Sequence, residues 1–370
     1  MSKIIKNVSG KKKKQIDVAV KKARPNGNGK VPVTAQQSIP FKQMFKDGIC
    51  KVDDNLYTKT VQFFDINYQL AQNEDKTAIF ENYCDFLNYF DSSINVQLSF
   101  LNQVADVEEF HSQLEIDGQD DEFNDIRQEY TEMLKNQLAK GNNGLVKTKY
   151  ITFGVKEKSL KEAKPKLERI EADILGNFKI MGVLAQPMNG AERLAVLHRS
   201  FNPDGREKFR FSWDLLPKSG LSVKDFIAPS SFDFSKGNSF RMSGKYGAVS
   251  FINIMASEMS DRMLADFLNI EHNITLSIHI QSIDQNKAVK MVKSKITDLD
   301  KMKMEEQKKA FRNGYDIDIM PSDINTFGKE AKSLLNDLQS RNERLFMATI
   351  LIMNTADTKR KLDNIIFQEQ

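Results

Sequence analysis

Gly141-Asn142-Asn143-Gly144-Leu145-Val146-Lys147-Thr148 has the outline of a phosphate loop, with a leading glycine and Lys-Thr in the seventh and eighth places. That loop needs glycine at the sixth place, where the backbone turns to positive φ and amides face the phosphates. Val146 stands there instead. The flanks are also reversed, because a phosphate loop runs from strand to helix. Here a helical pattern precedes and a strand pattern follows, so a helix C-cap and a strand start account for every residue. Asn26-Gly27-Asn28-Gly29-Lys30 has no strand before it and reads as linker. Asp117-Gly118-Gln119-Asp120-Asp121-Glu122 has the acidity of a calcium loop, but its glycine stands second and no glutamate closes the twelfth place. It is expected to be a solvated loop that places acids at the next helix N-terminus.

Nucleophiles and metal ligands are equally sparse. No serine lies in a G-x-S-x-G turn. His111, His198, His272 and His279, with Cys50 and Cys84, show no ligand spacing. His279 lies in an apolar strand pattern and reads as a hydrogen-bonded strand residue. His198 follows an apolar helix face and precedes Arg199, which predicts a surface position. Cys84 falls beside Phe80 and Leu87 and reads as a small buried hydrophobe. Trp213, the one tryptophan, should anchor an irregular middle region. The strands lack the aromatic and basic alternation of nucleic-acid platforms. No catalytic, cofactor-binding or metal-ligating residue is therefore expected.

The elements that would hold any site form two similar series. A chain of 370 residues predicts about two domains. Tyr57 to Ile66, a helix through Ile79, Tyr83, Phe86, Leu87 and Phe90, and a strand alternating Ile94, Val96, Leu98 and Phe100 open the first series. A helix through Phe123, Ile126, Tyr130, Met133 and Leu138 follows, then a strand from Leu145 to Val155. Ser159-Leu160-Lys161-Glu162 is a capping box opening a third helix, with Pro165 expected to bend it or delay its start. Phe209 to Trp213 reads as a strand, and Ser219 to Phe234 as a loop. The second series runs from the strand Ala248 to Met255 through a helix capped by Ser260 and the strand Ile274 to Ile280. Two helices between Asp284 and Ser340, the strand Arg344 to Met353 and a helix from Asp357 complete it. Both halves read β-α-β-α-β-α, which predicts a mixed α/β fold built by internal duplication. Asp85-Phe86-Leu87-Asn88 matches Asp266-Phe267-Leu268-Asn269, and Tyr150-Ile151-Thr152 is matched to Met347-Ala348-Thr349. The Lys- and Glu-rich helical pair at 284–340 should project as an arm. The expected boundaries are a basic flexible leader at 1–40, a first repeat at 41–185, an irregular connection at 186–240 and a second repeat at 241–370.

Charge is concentrated in the leader. Residues 1–30 hold ten Lys or Arg and one acid, +9 in all, so with +4 for the chain residues 31–370 carry −5. Lys11, Lys12, Lys13, Lys14, Lys21, Lys22 and Arg24 are the candidate contacts for an anionic membrane surface or nucleic acid. A membrane-spanning helix needs about 20 apolar residues in a row, and the longest run, Leu345 to Met353, is of strand length. No apolar segment of signal-peptide type follows the N-terminal lysines. Two cysteines make no disulfide framework, which favours a reducing cytoplasm.

Several long strings carry a resemblance. They are Ser38-Ile39-Pro40-Phe41, Asp65-Ile66-Asn67-Tyr68-Gln69-Leu70-Ala71-Gln72-Asn73-Glu74-Asp75-Lys76-Thr77 and Asp225-Phe226-Ile227-Ala228-Pro229-Ser230-Ser231-Phe232. Arg262-Met263-Leu264-Ala265-Asp266-Phe267-Leu268 and Lys295-Ile296-Thr297-Asp298-Leu299-Asp300-Lys301-Met302 complete the set. From about residue 35 onward the chain resembles the N-terminal region of the VirB/TraE-like conjugal-transfer ATPases of Gram-positive integrative conjugative elements. The resemblance implies a module that docks at the cytoplasmic face of a type IV secretion channel. Its partners would be inner-membrane subunits and its own copies, in a hexamer for the full-length protein. It also implies a RecA-like motor, holding ATP and Mg²⁺, beyond Gln370. Asn364-Ile365-Ile366-Phe367-Gln368 resembles the segment near that junction. No motor motif matches a position in these residues, so no hydrolysis and no cofactor are expected of them alone. The alternative is a nucleic-acid-binding module acting through the leader, which the acidic body makes less favourable.

Overall fold

The computed structural model describes residues 34–66, 72–104, 123–141, 145–205, 207–253, 272–313, 322–340 and 343–369. The chain divides into two units, Met1–Ile39 and Pro40–Gln370. In the first, the Thr34 hydroxyl accepts a hydrogen bond from Gln37 N and caps one helical turn, Ala35–Ser38.

The second unit is built on one antiparallel sheet, with eleven strands among the described residues. They are β1 (Gln43–Met44), β2 (Cys50–Lys51), β3 (Leu56–Phe63), β4 (Ile94–Val104), β5 (Leu145–Lys156) and β6 (Ala185–Pro187), then β7 (Phe232–Lys236), β8 (Ser239–Met242), β9 (Lys245–Phe251), β10 (Ile274–Ser282) and β11 (Phe346–Ala356). The order is β1-β2-β3-β5-β4-β10-β11-β9-β8-β7, with β6 also paired to β3. Beside a single helical turn at Leu216–Ser219, the described helices are α1 (Asn73–Tyr89), α2 (Asn124–Gly141), α3 (Leu160–Ile180), α4 (Gly190–Phe201), α5 (Gln285–Asn313), α6 (Ser322–Ser340) and α7 (Lys359–Gln368).

The two series meet back to back. β3-β5-β4 on one side and β10-β11-β9 on the other are mirror orders about the β4–β10 pair. Register supports the same equivalence. Ile94 pairs with Val155, which pairs with Tyr57; Ile274 pairs with Asn354, which pairs with Ala248. Four residues after Val155, Ser159 caps α3, and four after Asn354, Thr358 caps α7. Each cap side chain accepts from the backbone N–H three residues on, and the residue after that, Ala163 or Leu362, is fully buried. This register aligns Tyr150-Ile151-Thr152 with Thr349-Ile350-Leu351, two residues beyond the match expected from sequence. A strand slipped by two residues keeps its faces, so periodicity alone does not reveal the offset.

Inward residues of the strands alternate with outward ones, as the pleat requires. In the first half Tyr57, Val61, Ile94, Val96, Ile151 and Phe153 are buried against Phe86 and Phe90 at the end of α1 and against α3. α3 contributes Ala163, Leu167, Ile170, Ile174 and Phe178, a helical-period stripe. Full burial of one such side chain contributes about 1.5–3 kcal/mol. The second half buries Ile274, Leu276, Ile278, Ile350 and Ile352, and Leu98 and Ile280 pack against both clusters. The opposite face of the first half is covered by α4, where Leu101, Tyr150 and Met188 are buried with Val196 against them. α5 and α6 pair through Ala288, Val292 and Leu338 near the base. Met302, Met304 and Phe311 farther along α5 are exposed, as in a projecting arm.

Some sequence expectations change. Phe209 to Trp213 forms no strand. Its alternating rings pack on Phe226 and on each other, with Phe211 edge-to-face against Trp213 at 4.9 Å and against Phe226 at 5.2 Å. The segment thus satisfies its apolar side chains by ring packing instead of pairing. The connection at 186–240 is more ordered than its composition suggests, holding α4 and the β7–β8 hairpin. Ser243 and Gly244 both have positive φ and join β8 to β9 in a two-residue turn. Pro165 does not delay α3, which starts at Leu160 under its Ser159 cap. Phe123, Ile126, Tyr130 and Met133 line one side of the α2 region but are exposed, and Tyr83 on α1 is also exposed. The helix expected after Ser260 and the Asp266 to Asn269 match lie outside the described residues.

Candidate functional site

Lys11, Lys12, Lys13, Lys14, Lys21, Lys22 and Arg24 lie outside the described residues, as does the acidic stretch 117–122. The phosphate-loop look-alike has the layout expected of it: α2 ends at Gly141, and Val146, Lys147 and Thr148 are in β5, opposite Gln103, Asn102 and Leu101. Cys50 is buried, and burial pushes its thiol up despite the nearby Arg193 and Lys224. Cys84 is half-buried rather than buried, because the α1 face above Phe86 is only partly covered; burial and then Asp85, Glu343 and Glu81 raise its thiol as well. Both thiols are therefore poor nucleophiles at neutral pH. His279 lies on the open face of β10, exposed, opposite Thr349 and Gln97. Among the described residues, no group of three or more His, Cys, Asp or Glu could hold a metal ion. No helix among them is long and apolar enough to cross a membrane.

The site that the tertiary structure does assemble is a cleft of about 320 Å³ at the C-terminal end of α4. Two turns of α4 and its cap provide His198, Arg199 and Asn202, the end of β4 provides Gln103, and the following loop provides Glu207, Lys208, Phe209 and Arg210. The local fold explains this meeting. Asn189 opens α4 with a capping box, accepting from Ala191 N and Glu192 N while Glu192 accepts from Asn189 N at 2.7 Å. Arg193 then ties the helix to the sheet, donating to Gly48 O at 2.6 Å and Thr58 O at 2.9 Å. At the far end Gln103 Nε2 donates to Ser200 Oγ, and Asn202 Nδ2 donates to His198 O. Ser243 Oγ donates to Asn202 Oδ1, and Asn273 Nδ2 donates to Pro203 O, so elements of the second half fix the start of the loop.

His198 is buried, at 5% exposure, which corrects the expected surface position. Phe209 arrives from the loop and packs at a tilt against the imidazole, with ring centroids 5.3 Å apart. Burial is the main cause that pushes the His198 pKa below the ordinary histidine value, so its ring is neutral at pH 7. The cleft lining also holds the cations Arg199, Lys208 and Arg210 and the carboxylate of Glu207. Arg199 Nε is sealed from solvent and has no hydrogen-bond acceptor among the described residues. Sequence reading passed over this cluster because its members come from a helix end, a strand end and a loop. The one local signal was His198-Arg199 beside a run rich in Arg and Lys.

Set against known proteins, the chain matches no family model and no curated protein.

Proposed function

We propose that the chain is the docking and oligomerisation module of a conjugative type IV secretion traffic ATPase, peripheral to the inner face of the cell membrane. The strings quoted above, spread from Ser38 to Met302, carry this reading through their resemblance to that family. Two features of the structure support it. The paired halves make a broad, continuous sheet on which a scaffold can be built, and the arm offers exposed Met302, Met304 and Phe311 to a partner. In this reading residues 1–370 bind channel subunits and self-associate, and hydrolyse no ATP themselves. The leader lysines add attraction to anionic lipid of about 1 kcal/mol per cation near the surface.

The test is co-purification of the chain with the inner-membrane subunits of a conjugative channel in nanodiscs, beside its sedimentation behaviour and its ATP turnover. Subunit binding that is lost in a Met302→Asp/Phe311→Asp variant, with no turnover, is expected. Measurable ATP hydrolysis, or no binding to any channel subunit, overturns the reading. For the leader, deletion of residues 1–30 should abolish flotation with anionic vesicles; unchanged flotation removes the lipid role.

A further inference from the structure

We propose that the His198–Arg210 cleft binds a phosphorylated small molecule of about mononucleotide size. The proposal stands apart from the docking reading and survives its failure. Its volume of about 320 Å³ lies within the range of small-molecule sites, about 300–1,000 Å³. The local charge runs against that of the body: residues 31–370 carry −5, whereas the cleft lining carries three cations and one acid. An acidic body that gathers Arg199, Lys208 and Arg210 around one concavity has built a local anion well.

The chemistry at its wall narrows the class. A sealed guanidinium N–H without an acceptor leaves a desolvation cost of about 1–3 kcal/mol or more uncompensated. Arg199 Nε is such a donor on a side chain that lines the cleft, and a small rotation of the guanidinium toward an anionic oxygen there would supply its partner. Two arginines and a lysine suit a dianion with three terminal oxygens better than a single carboxylate, because each guanidinium presents a planar fork. The His198 and Phe209 rings, packed at a 45° tilt, form an apolar wall beside the cations. A neutral imidazole also leaves one ring nitrogen able to donate and the other able to accept. A phosphate joined to a flat or sugar-like body fits this pairing of wall and cations.

The experiment is isothermal titration of the full chain with adenosine monophosphate, ribose 5-phosphate, inorganic phosphate, adenosine and citrate. One-to-one binding of the two organic phosphates is expected, with inorganic phosphate weaker and adenosine and citrate absent. Arg210 is exposed on the loop, so Arg210→Ala can be made without risk to the core. Losing one charge-assisted hydrogen bond should weaken binding about 10- to 100-fold. Glu207→Gln should tighten it, and Lys290→Ala, on α5 and outside the cleft lining, should leave it unchanged. Arg199→Lys, checked for native circular dichroism, keeps the charge and removes the fork, and should weaken binding as well. No binding of either organic phosphate at millimolar concentration overturns the proposal. So does binding that Arg210→Ala and Arg199→Lys leave intact, which would place it on the leader, and so does adenosine or citrate binding as tightly as the phosphates.

Discussion

Lys59 on β3 and Glu171 on α3 form an ion pair between the sheet and its covering helix, 2.7 Å apart with side chains only 8% and 15% exposed. Lys59→Met and Glu171→Gln each strand one charge in that layer. The loss has a ceiling, because a stranded group can change its proton count. At pH 7 protonating an ordinary carboxylate costs about 3.7 kcal/mol, and deprotonating an ordinary lysine about 4.6 kcal/mol. Breaking a buried pair typically costs about 3–5 kcal/mol, so these ceilings cut off the upper part of that range. Glu171→Gln should fall at the lower end, because the carboxylate of Asp47 also acts electrostatically on Lys59. The double variant Lys59→Met/Glu171→Leu removes both charges and fills the space, so it should recover most of the loss. Urea denaturation followed by circular dichroism provides the four corners of the cycle. Single variants costing under about 1 kcal/mol, or a double variant as unstable as the two losses added, would refute the buried-pair argument.

Gly190→Ala places a methyl group against the Phe45 carbonyl and 2.7 Å from Trp213 Cζ2. Overpacking of this kind costs about 1–3 kcal/mol, so its urea midpoint should fall; a midpoint equal to the parent's would show that the α4 start and the Trp213 ring are not held together. Glu369 accepts from Asn354 Nδ2 at 2.8 Å through both oxygens, yet burial holds its carboxyl above the ordinary glutamate value. A raised acid holds its proton more tightly when folded, so stability should decline as pH rises from the ordinary value through the raised one. Glu369→Gln keeps an acceptor for Asn354 and should flatten that decline in thermal melts taken across the window; a slope like the parent's would refute the assignment.

Periodicity and capping were the readable parts of this chain. The alternation in β4 and β10, the helical stripe of α3, the Ser159 cap and the start of α5 at Asp284 all depend on residues a few positions apart. So did the reading of 141–148 as a helix end and strand start, because phosphate-loop geometry depends on one glycine and the order of two neighbours. The repeat of element order was legible for the same reason.

Other features depended on partners far along the chain. Phe209, Phe211 and Trp213 alternate like a strand, but their rings found one another, Phe226 and His198. Lys59 occupies an inward position that its residue type would assign to solvent, and its ion pair with Glu171 on α3 accounts for its burial. His198 looked like a surface residue until Phe209 covered it. Local spacing and composition specify most of the elements and where the charge is concentrated. Tertiary structure decided that β4 pairs with β10, that the halves share one sheet and that three cations line one cleft. Local propensity acts within a turn or a strand; strand order, buried charge and cleft composition come from contacts between residues widely separated in the chain, and no short pattern records them.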